Sequence, residues 1–312
     1  MNYKKLKDWN SGFYQWVDRR HPHNGRKQNG FMGGFIFGER GKGKSTYALK
    51  VMAKTYYHFY GMNDEGDAYK EAIKYMIYEP SDFQRLTAMN KIKHIITPII
   101  CLDDASMHFG NMLHQTDYKL YSALMGQTAT VRTAVTGLLI TAPKRAHVAK
   151  FLRDYDDFKG EAFIEQGPTT SNNPDRVVEN WNRKIRFYQW HYYPDEQKYN
   201  IKIPFQDKYS CYIPEPFYSL YVERKGYFEI KHDIEEADRT GMNRDVFIEF
   251  RDDLPSYEGY PDLKDIVDKW EIKEKIKKEK DKMDEYKKVL QMENIKKKIM
   301  KYKEAREKEG SM

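Results

Sequence analysis

Gly38-Glu39-Arg40-Gly41-Lys42-Gly43-Lys44-Ser45 matches the pattern G-x-x-x-x-G-K-[ST] at every fixed position. The glycines let the backbone curl so that successive N–H groups face inward at the positive end of a following helix, which is an anion-binding arrangement. Lys44 is expected to reach the β- and γ-phosphates of a bound nucleotide, and the Ser45 hydroxyl to ligate Mg²⁺. Thr46 completes a candidate nucleotide-binding set running from Gly38 through Glu39, Arg40, Gly41, Lys42, Gly43, Lys44 and Ser45. A chance glycine-rich turn would lack the flanking elements such a loop requires.

A phosphate-binding loop also needs a carboxylate at the end of a neighbouring strand to hold the metal. Asp103, directly after the apolar run Ile99-Ile100-Cys101-Leu102, is placed for this. Asp104 is the candidate general base. The corresponding residue in many ATPases is Glu, and the shorter Asp draws the carboxylate back by about one methylene. The competing reading of Asp103-Asp104 is a pair that ends a strand and caps a helix. Thr141, at the end of Gly137-Leu138-Leu139-Ile140, is the candidate that senses the γ-phosphate, although a buried strand threonine is also ordinary. Arg132, Arg145 and Arg153 are candidates for a charge-neutralising arginine, with surface ion pairs as the alternative. The guanine-reading signature Asn-Lys-x-Asp is absent, which favours ATP over GTP.

The elements needed to position these groups are legible. The short apolar run Phe31–Phe37 reads as a buried strand. Ala48, Leu49, Val51, Met52 and Tyr56 then recur at helical spacing in a segment reaching about Tyr60. Asp67 to Ala88 reads as helical with a break at Glu79-Pro80-Ser81-Asp82, where Ser81 or Asp82 can cap the second part. Tyr118 to Ala134 has helical spacing, and Pro143 is expected to open a helix continuing to about Tyr155. Strands alternating with helices imply a parallel sheet. After about Gly160 the pattern changes to alternating apolar and polar residues in Glu161–Gln166, Lys184–Tyr193 and Tyr199–Pro204, with a turn at Pro194-Asp195-Glu196. The expected fold is therefore α/β, with a parallel-sheet core of the additional-strand P-loop class and an antiparallel β-rich extension. Beyond Lys264, a Lys- and Glu-rich run with Ile272, Ile276, Met283, Tyr286, Leu290, Ile295 and Ile299 predicts one or two long helices, solvated or coiled. The expected organisation is a basic and aromatic arm (1–30), an ATPase core (31–160), a β-rich extension (161–230) and a helical C-terminal region (231–312).

The composition sets further bounds. The 312 residues carry 54 Lys+Arg against 47 Asp+Glu, for a formal charge of +7. That balance permits contact with nucleic acid without being the signature of a dedicated binding domain. The two cysteines, Cys101 and Cys211, have neither zinc nor disulfide spacing and read as packed thiols, and His21-Pro22-His23 lacks nearby partner ligands. No apolar run reaches the length of a membrane helix and no secretory leader is evident, so the expected location is cytoplasmic, or the host-cell interior for a viral protein.

The chain resembles small P-loop ATPases encoded by viruses and plasmids of thermophilic crenarchaea, including a group described as similar to AAA+ replication initiators of the DnaA type. The matching residues are Gly38 to Ser45 followed by Thr46-Tyr47-Ala48-Leu49, then Leu102-Asp103-Asp104-Ala105 and Leu138-Leu139-Ile140-Thr141-Ala142-Pro143. A looser likeness extends through Trp181–Arg186 and Pro214-Glu215-Pro216-Phe217-Tyr218 to Tyr221, Arg224 and Tyr227. The resemblance implies ATP hydrolysis in replication or handling of a mobile element's DNA. No helix-turn-helix and no AAA+ lid stand out, and the terminal arms have no counterpart.

Three roles follow. The first is an ATPase acting on DNA in replication, partition or packaging, as a homo-oligomer, with Lys144-Arg145, Arg183-Lys184 and the C-terminal lysines as sequence-independent phosphate contacts. The second is a nucleotide-regulated assembly or virion protein that engages a protein partner through the C-terminal helix. A small-molecule kinase is the third, and it lacks a compact arginine-bearing lid.

Overall fold

The computed structural model describes residues 6–22, 30–110, 113–153, 158–166, 182–193 and 198–309. Residues 23–29 of the basic and aromatic arm and the turn expected at 194–196 lie outside these. The chain forms two compact units, Met1–Phe228 and Glu229–Met312.

The first unit is built on one seven-stranded sheet. In chain order its strands are β1 (Met32–Phe37), β2 (Met76–Ile77), β3 (Thr97–Leu102), β4 (Val135–Ala142), β5 (Phe158–Gln166), β6 (Asn182–Tyr193) and β7 (Lys198–Ser210). The spatial order is β2-β3-β4-β1-β5-β6-β7. The first five in that order run parallel, and β6 and β7 continue antiparallel. β1, β3 and β4 are buried at every residue, as expected of parallel strands covered on both faces. Their C-terminal ends align, with Phe37 beside Ala142 and Leu102 beside Ile140. Everything placed after those ends therefore meets on one edge of the sheet.

Helices supply the covering layers. α1 is Gly12–Asp18, α2 Lys44–Phe59, α3 Glu65–Lys74 and α4 Pro80–Lys93. α5 (Ala105–His108), α6 (Leu113–Thr116), α7 (Tyr118–Thr130) and α8 (Lys150–Arg153) follow, and α9 spans Phe217–Thr240. One core cluster gathers Phe35, Ile100, Leu102, Leu138 and Ile140 with Phe83 of α4, Leu124 of α7 and Phe109 just past α5.

Several sequence expectations shift in detail. Pro80 sits in the first turn of α4, and the N-cap is Glu79 rather than Ser81 or Asp82. A two-residue strand, β2, lies in what the sequence reads as helix, because its neighbour β3 offers backbone pairing at Cys101 and Leu102. The single helix expected from Pro143 to about Tyr155 is instead a 3₁₀ turn at Arg145–His147 and the short α8. Val148 and Ala149 between them are buried, and Ala149 donates its N–H to the Phe109 carbonyl, so tertiary contacts override the local pattern. β5 is parallel to β1 and antiparallel to β6, which makes it the strand where the sheet changes sense.

The N-terminal segment packs into this unit. Phe13 and Val17 of α1 are fully buried, and Cβ atoms added at Gly34 or Gly137 would meet their side chains at 2.5 and 2.8 Å. Those two glycines let the helix lie directly on the sheet.

In the second unit, α10 (Arg244–Glu249) and the N-terminal part of α11 (Leu263–Glu309) carry an Arg244 guanidinium stacked over Trp270, with Leu263, Val267 and Trp270 buried. Farther along the 47-residue α11, Ile272, Ile276, Met283, Tyr286 and Leu290 are exposed. No helix among the described residues is long and apolar enough to cross a membrane.

Candidate functional site

The motif loop joins β1 directly to α2, so strand, loop and helix stand in the order the motif requires. Gly41 and Gly43 have φ of 74° and 87°, where a side chain is disfavoured. At Gly43 there is a second constraint: a Cβ would lie 2.3 Å from the Cys211 Sγ. The Tyr209 hydroxyl donates to the Gly43 carbonyl at 3.0 Å, and Lys50 Nζ donates to the Ser210 carbonyl at 2.6 Å. The end of β7 thus braces the loop and the start of α2, a contact that no local pattern in the sequence signals.

Lys44 opens α2 and is buried, with Nζ donating to the carbonyls of Gly38 and Glu39 at 2.9 Å each. Burial lowers the affinity of its amine for a proton, while Asp104 and Asp103 act to raise it. Glu39, Arg40 and Gly41 are exposed at the rim, and Lys42 pairs with Glu39 at 3.5 Å.

Asp103 follows β3 and is 1% exposed. Its Oδ1 accepts from the Thr141 hydroxyl at 2.6 Å and its Oδ2 accepts from the Tyr221 hydroxyl at 3.3 Å, and the Ser45 side chain lies close enough to help hold the carboxyl's proton affinity down. Burial raises the Asp103 carboxyl above the usual range, opposed chiefly by the Lys225 ammonium and by the hydrogen bonds from Thr141 and Ser45. Asp104 adopts left-handed backbone angles, φ 45° and ψ 45°. It stands at the N-cap position of α5, yet its side chain makes no cap hydrogen bond. Instead Oδ2 meets Lys225 Nζ at 2.5 Å, and the Asp104 N–H donates to the Thr141 hydroxyl at 2.9 Å. Thr141 therefore links the Asp103 carboxylate to the Asp104 backbone from the end of β4.

Ser45, Asp103, Asp104, Thr141 and Lys44 are thus brought together on one edge of the sheet. The arginine candidates separate. Arg132 precedes β4, whose eight residues carry it to the far end from the loop, about 26 Å away at 3.3 Å per residue. Within one chain it does not reach the site. Arg145 is exposed on the turn just past β4, on the loop side. The Arg153 side chain lies outside the described residues.

The contribution of α9 was not assigned from sequence. Its inner face places Phe217 on Tyr69 and Phe228 on Tyr78, as stacked rings 5.4 and 4.9 Å apart. Arg224 is buried over Phe228 and donates to the Lys74 carbonyl. This seating brings Tyr221 and Lys225, one helical turn apart, to the two carboxylates. The apolar and aromatic spacing Phe217, Tyr221, Arg224, Phe228 was available in the sequence, but nothing there ties it to β3.

The donor set suits a phosphate and a hard cation. A glycine loop at the start of a helix, an ammonium resting on loop carbonyls, and a buried carboxylate tied to a threonine hydroxyl are what Mg²⁺ and a polyphosphate would engage. Among the described residues no group of three or more His, Cys, Asp or Glu could hold a metal by protein ligands alone.

No family model matches the chain. A protein of Sulfolobus spindle-shape virus 1, described as uncharacterized protein B-251, is 28% identical over 247 residues, covering 77% of this chain and 89% of that protein. A protein of Acidianus two-tailed virus, described as uncharacterized protein ORF286, is 23% identical over 115 residues, or 36% of this chain and 37% of that protein. Among solved structures, the N-terminal domain of zonular occludens toxin from Neisseria meningitidis matches with a TM-score of 0.35 and 12% identity, covering 61% of this chain and 97% of that one. A KaiC-like protein from Pyrococcus horikoshii OT3 matches with a TM-score of 0.31 and 11% identity, covering 64% and 100%. The fold assignment rests on the strand order and register rather than on these distant likenesses. The viral part of the resemblance is matched by viral relatives, whose descriptions state no activity and no DnaA-type membership.

Proposed function

We propose that the chain is a Mg²⁺-dependent ATP-binding protein and ATPase that acts on the DNA of a virus or plasmid, in replication, partition or packaging. The observation that carries the ATP site is Lys44 held on the Gly38 and Glu39 carbonyls of the glycine loop, on the same sheet edge as the buried Asp103 carboxylate tied to Thr141. In this reading the N–H groups of residues 38–46 bind the phosphates, with Lys44 exchanging its loop carbonyls for phosphate oxygens. Ser45 and Asp103 would hold Mg²⁺, which when bound screens the phosphate charge as the terminal bond breaks. Asp104 accepts a proton from the attacking water, and Thr141 aligns the Asp103 and Asp104 ends of the pair. The role on DNA is supported by the resemblance, the viral relatives and the net charge of +7. Homo-oligomer formation belongs to the same proposal.

Turnover measured without DNA and with single- and double-stranded DNA tests this directly. The expected result is hydrolysis that DNA stimulates and that disappears in Lys44→Ala and Asp103→Ala. ATP binding with no turnover and no DNA effect would instead favour nucleotide-regulated assembly. One observation supports that second reading: the exposed apolar residues of α11 offer a face for a protein partner.

A further inference from the structure

We infer that Lys225 is a positioning residue that acts through Asp104, fixing the direction of its carboxylate toward the reacting water. The inference rests on the ATPase reading of the site and deepens it.

Asp104 is held at both ends. Its backbone N–H is tied to Thr141 at 2.9 Å, and its carboxylate to Lys225 at 2.5 Å. Between these ties the residue keeps left-handed angles, which cost non-glycine residues free energy and persist only where surrounding contacts over-determine them. An ordinary helix-capping aspartate would turn its oxygen back onto α5, and this one does not. Its side chain is committed instead to a helix 121 residues away in the chain.

Lys225 is itself well supported. Both partners are about one-fifth exposed, 22% and 23%, so the pair is neither a freely solvated surface contact nor a sealed one. One turn earlier on the same helix, Tyr221 is buried and donates to Asp103. One residue earlier, the buried Arg224 anchors the helix to the end of α3 through the Lys74 carbonyl. α9 therefore presents a fixed two-toothed edge to adjacent carboxylates, and Lys225 is the tooth on the candidate base.

The test is a double-mutant cycle on the full chain, comparing Lys225→Met, Asp104→Asn and the double variant, with Lys225→Arg as the conservative control. If Lys225 works through Asp104, Lys225→Met lowers kcat about tenfold or more, and the double variant is no slower than Asp104→Asn alone. Calorimetric affinity for ATP with Mg²⁺ stays within about threefold of wild type in all four, because the effect lies in kcat rather than in ground-state binding. Lys225→Arg recovers most of the rate. The thermal midpoint supplies a readout independent of turnover: the shifts of Lys225→Met and Asp104→Asn are non-additive because the two groups are in contact. Rate losses that multiply in the double variant, or a Lys225→Met enzyme with wild-type kcat, overturn the inference. If Lys225→Met does not fold, the arginine variant decides: a folded Lys225→Arg protein with the rate of Asp104→Asn also overturns it. Failure of the wild type to bind or hydrolyse ATP is a different outcome, and it removes the parent reading.

Discussion

Two buried carboxylates in the first unit carry similar hydroxyl partners and serve opposite ends. Asp103 contacts Ser45, Thr141 and Tyr221 at the loop edge of the sheet. Asp207 of β7 accepts from Tyr47 at 2.6 Å, Ser11 at 2.8 Å and the Gly12 N–H at 3.0 Å, where α1, α2 and β7 meet. Burial raises both carboxyls, and hydrogen bonds oppose it in each case. The difference lies in the charges around them. Asp103 has a second carboxylate beside it and Lys225 nearby, whereas the groups acting on Asp207 among the described residues are neutral donors. A carboxylate with other charged groups beside it can exchange partners with a ligand. One enclosed by a serine, a tyrosine and a backbone N–H is a fastening, joining the N-terminal helix to the helix that starts at Lys44.

The contrast breaks down if the two sites respond alike to mutation. The largest expected effect is on turnover: Asp103→Ala should lower kcat by about three orders of magnitude, the scale of a lost metal or transition-state contact. Its unfolding midpoint should fall less than that of Asp207→Ala, because removing the Asp103 carboxylate also relieves its repulsion by Asp104. Asp207→Ala should lower stability by about 3 kcal/mol, since three donors lose their acceptor in a dry setting. Chemical denaturation measures it.

Acidity sharpens the comparison further. A carboxyl raised in the folded state binds its proton more tightly there than in the unfolded chain. Its contribution is thus fully present below the unfolded value of about 3.9 and is lost as pH rises through the folded value. Both aspartates act in this direction. Stability should fall as pH increases just above 4, and Asp207→Asn should flatten that part of the profile. The smallest effect concerns one bond of the fastening: Tyr47→Phe should cost about 1 kcal/mol, with ATP affinity unchanged.

These two carboxylates also mark what the chain makes legible by reading alone. Asp103 was found because it ends an apolar run, and a metal-holding carboxylate belongs at a strand end. The loop was found because it is a local object: three glycines, two lysines and one serine, all within eight residues. Asp207 gave no signal, since it sits in an alternating strand as any solvent-facing residue would, and only the arrival of α1 some 195 residues away in sequence buries it. Tyr209 and Lys225 likewise gave none, while Cys211 read only as a packed thiol and Tyr221 only as part of the looser likeness. Each reaches the loop or the carboxylates across more than 100 residues of chain, by sheet order or by the seating of α9. Boundaries failed where tertiary pairing overrode local pattern, at β2 and at the broken turn after Pro143. The arm at the N-terminus read as an appendage because Phe13 and Val17 find their burial against Gly34 and Gly137, far along the chain.

The central claim is that residues 38–46, with Asp103, form a nucleotide site. Isothermal titration of the full chain with ATP in magnesium buffer, alongside Lys44→Ala, tests it most directly. The account predicts saturable binding by the wild type that weakens by about two orders of magnitude or more in the variant, as loss of a buried charged phosphate contact requires. Absence of binding by the wild type, or equal binding by Lys44→Ala, would contradict it.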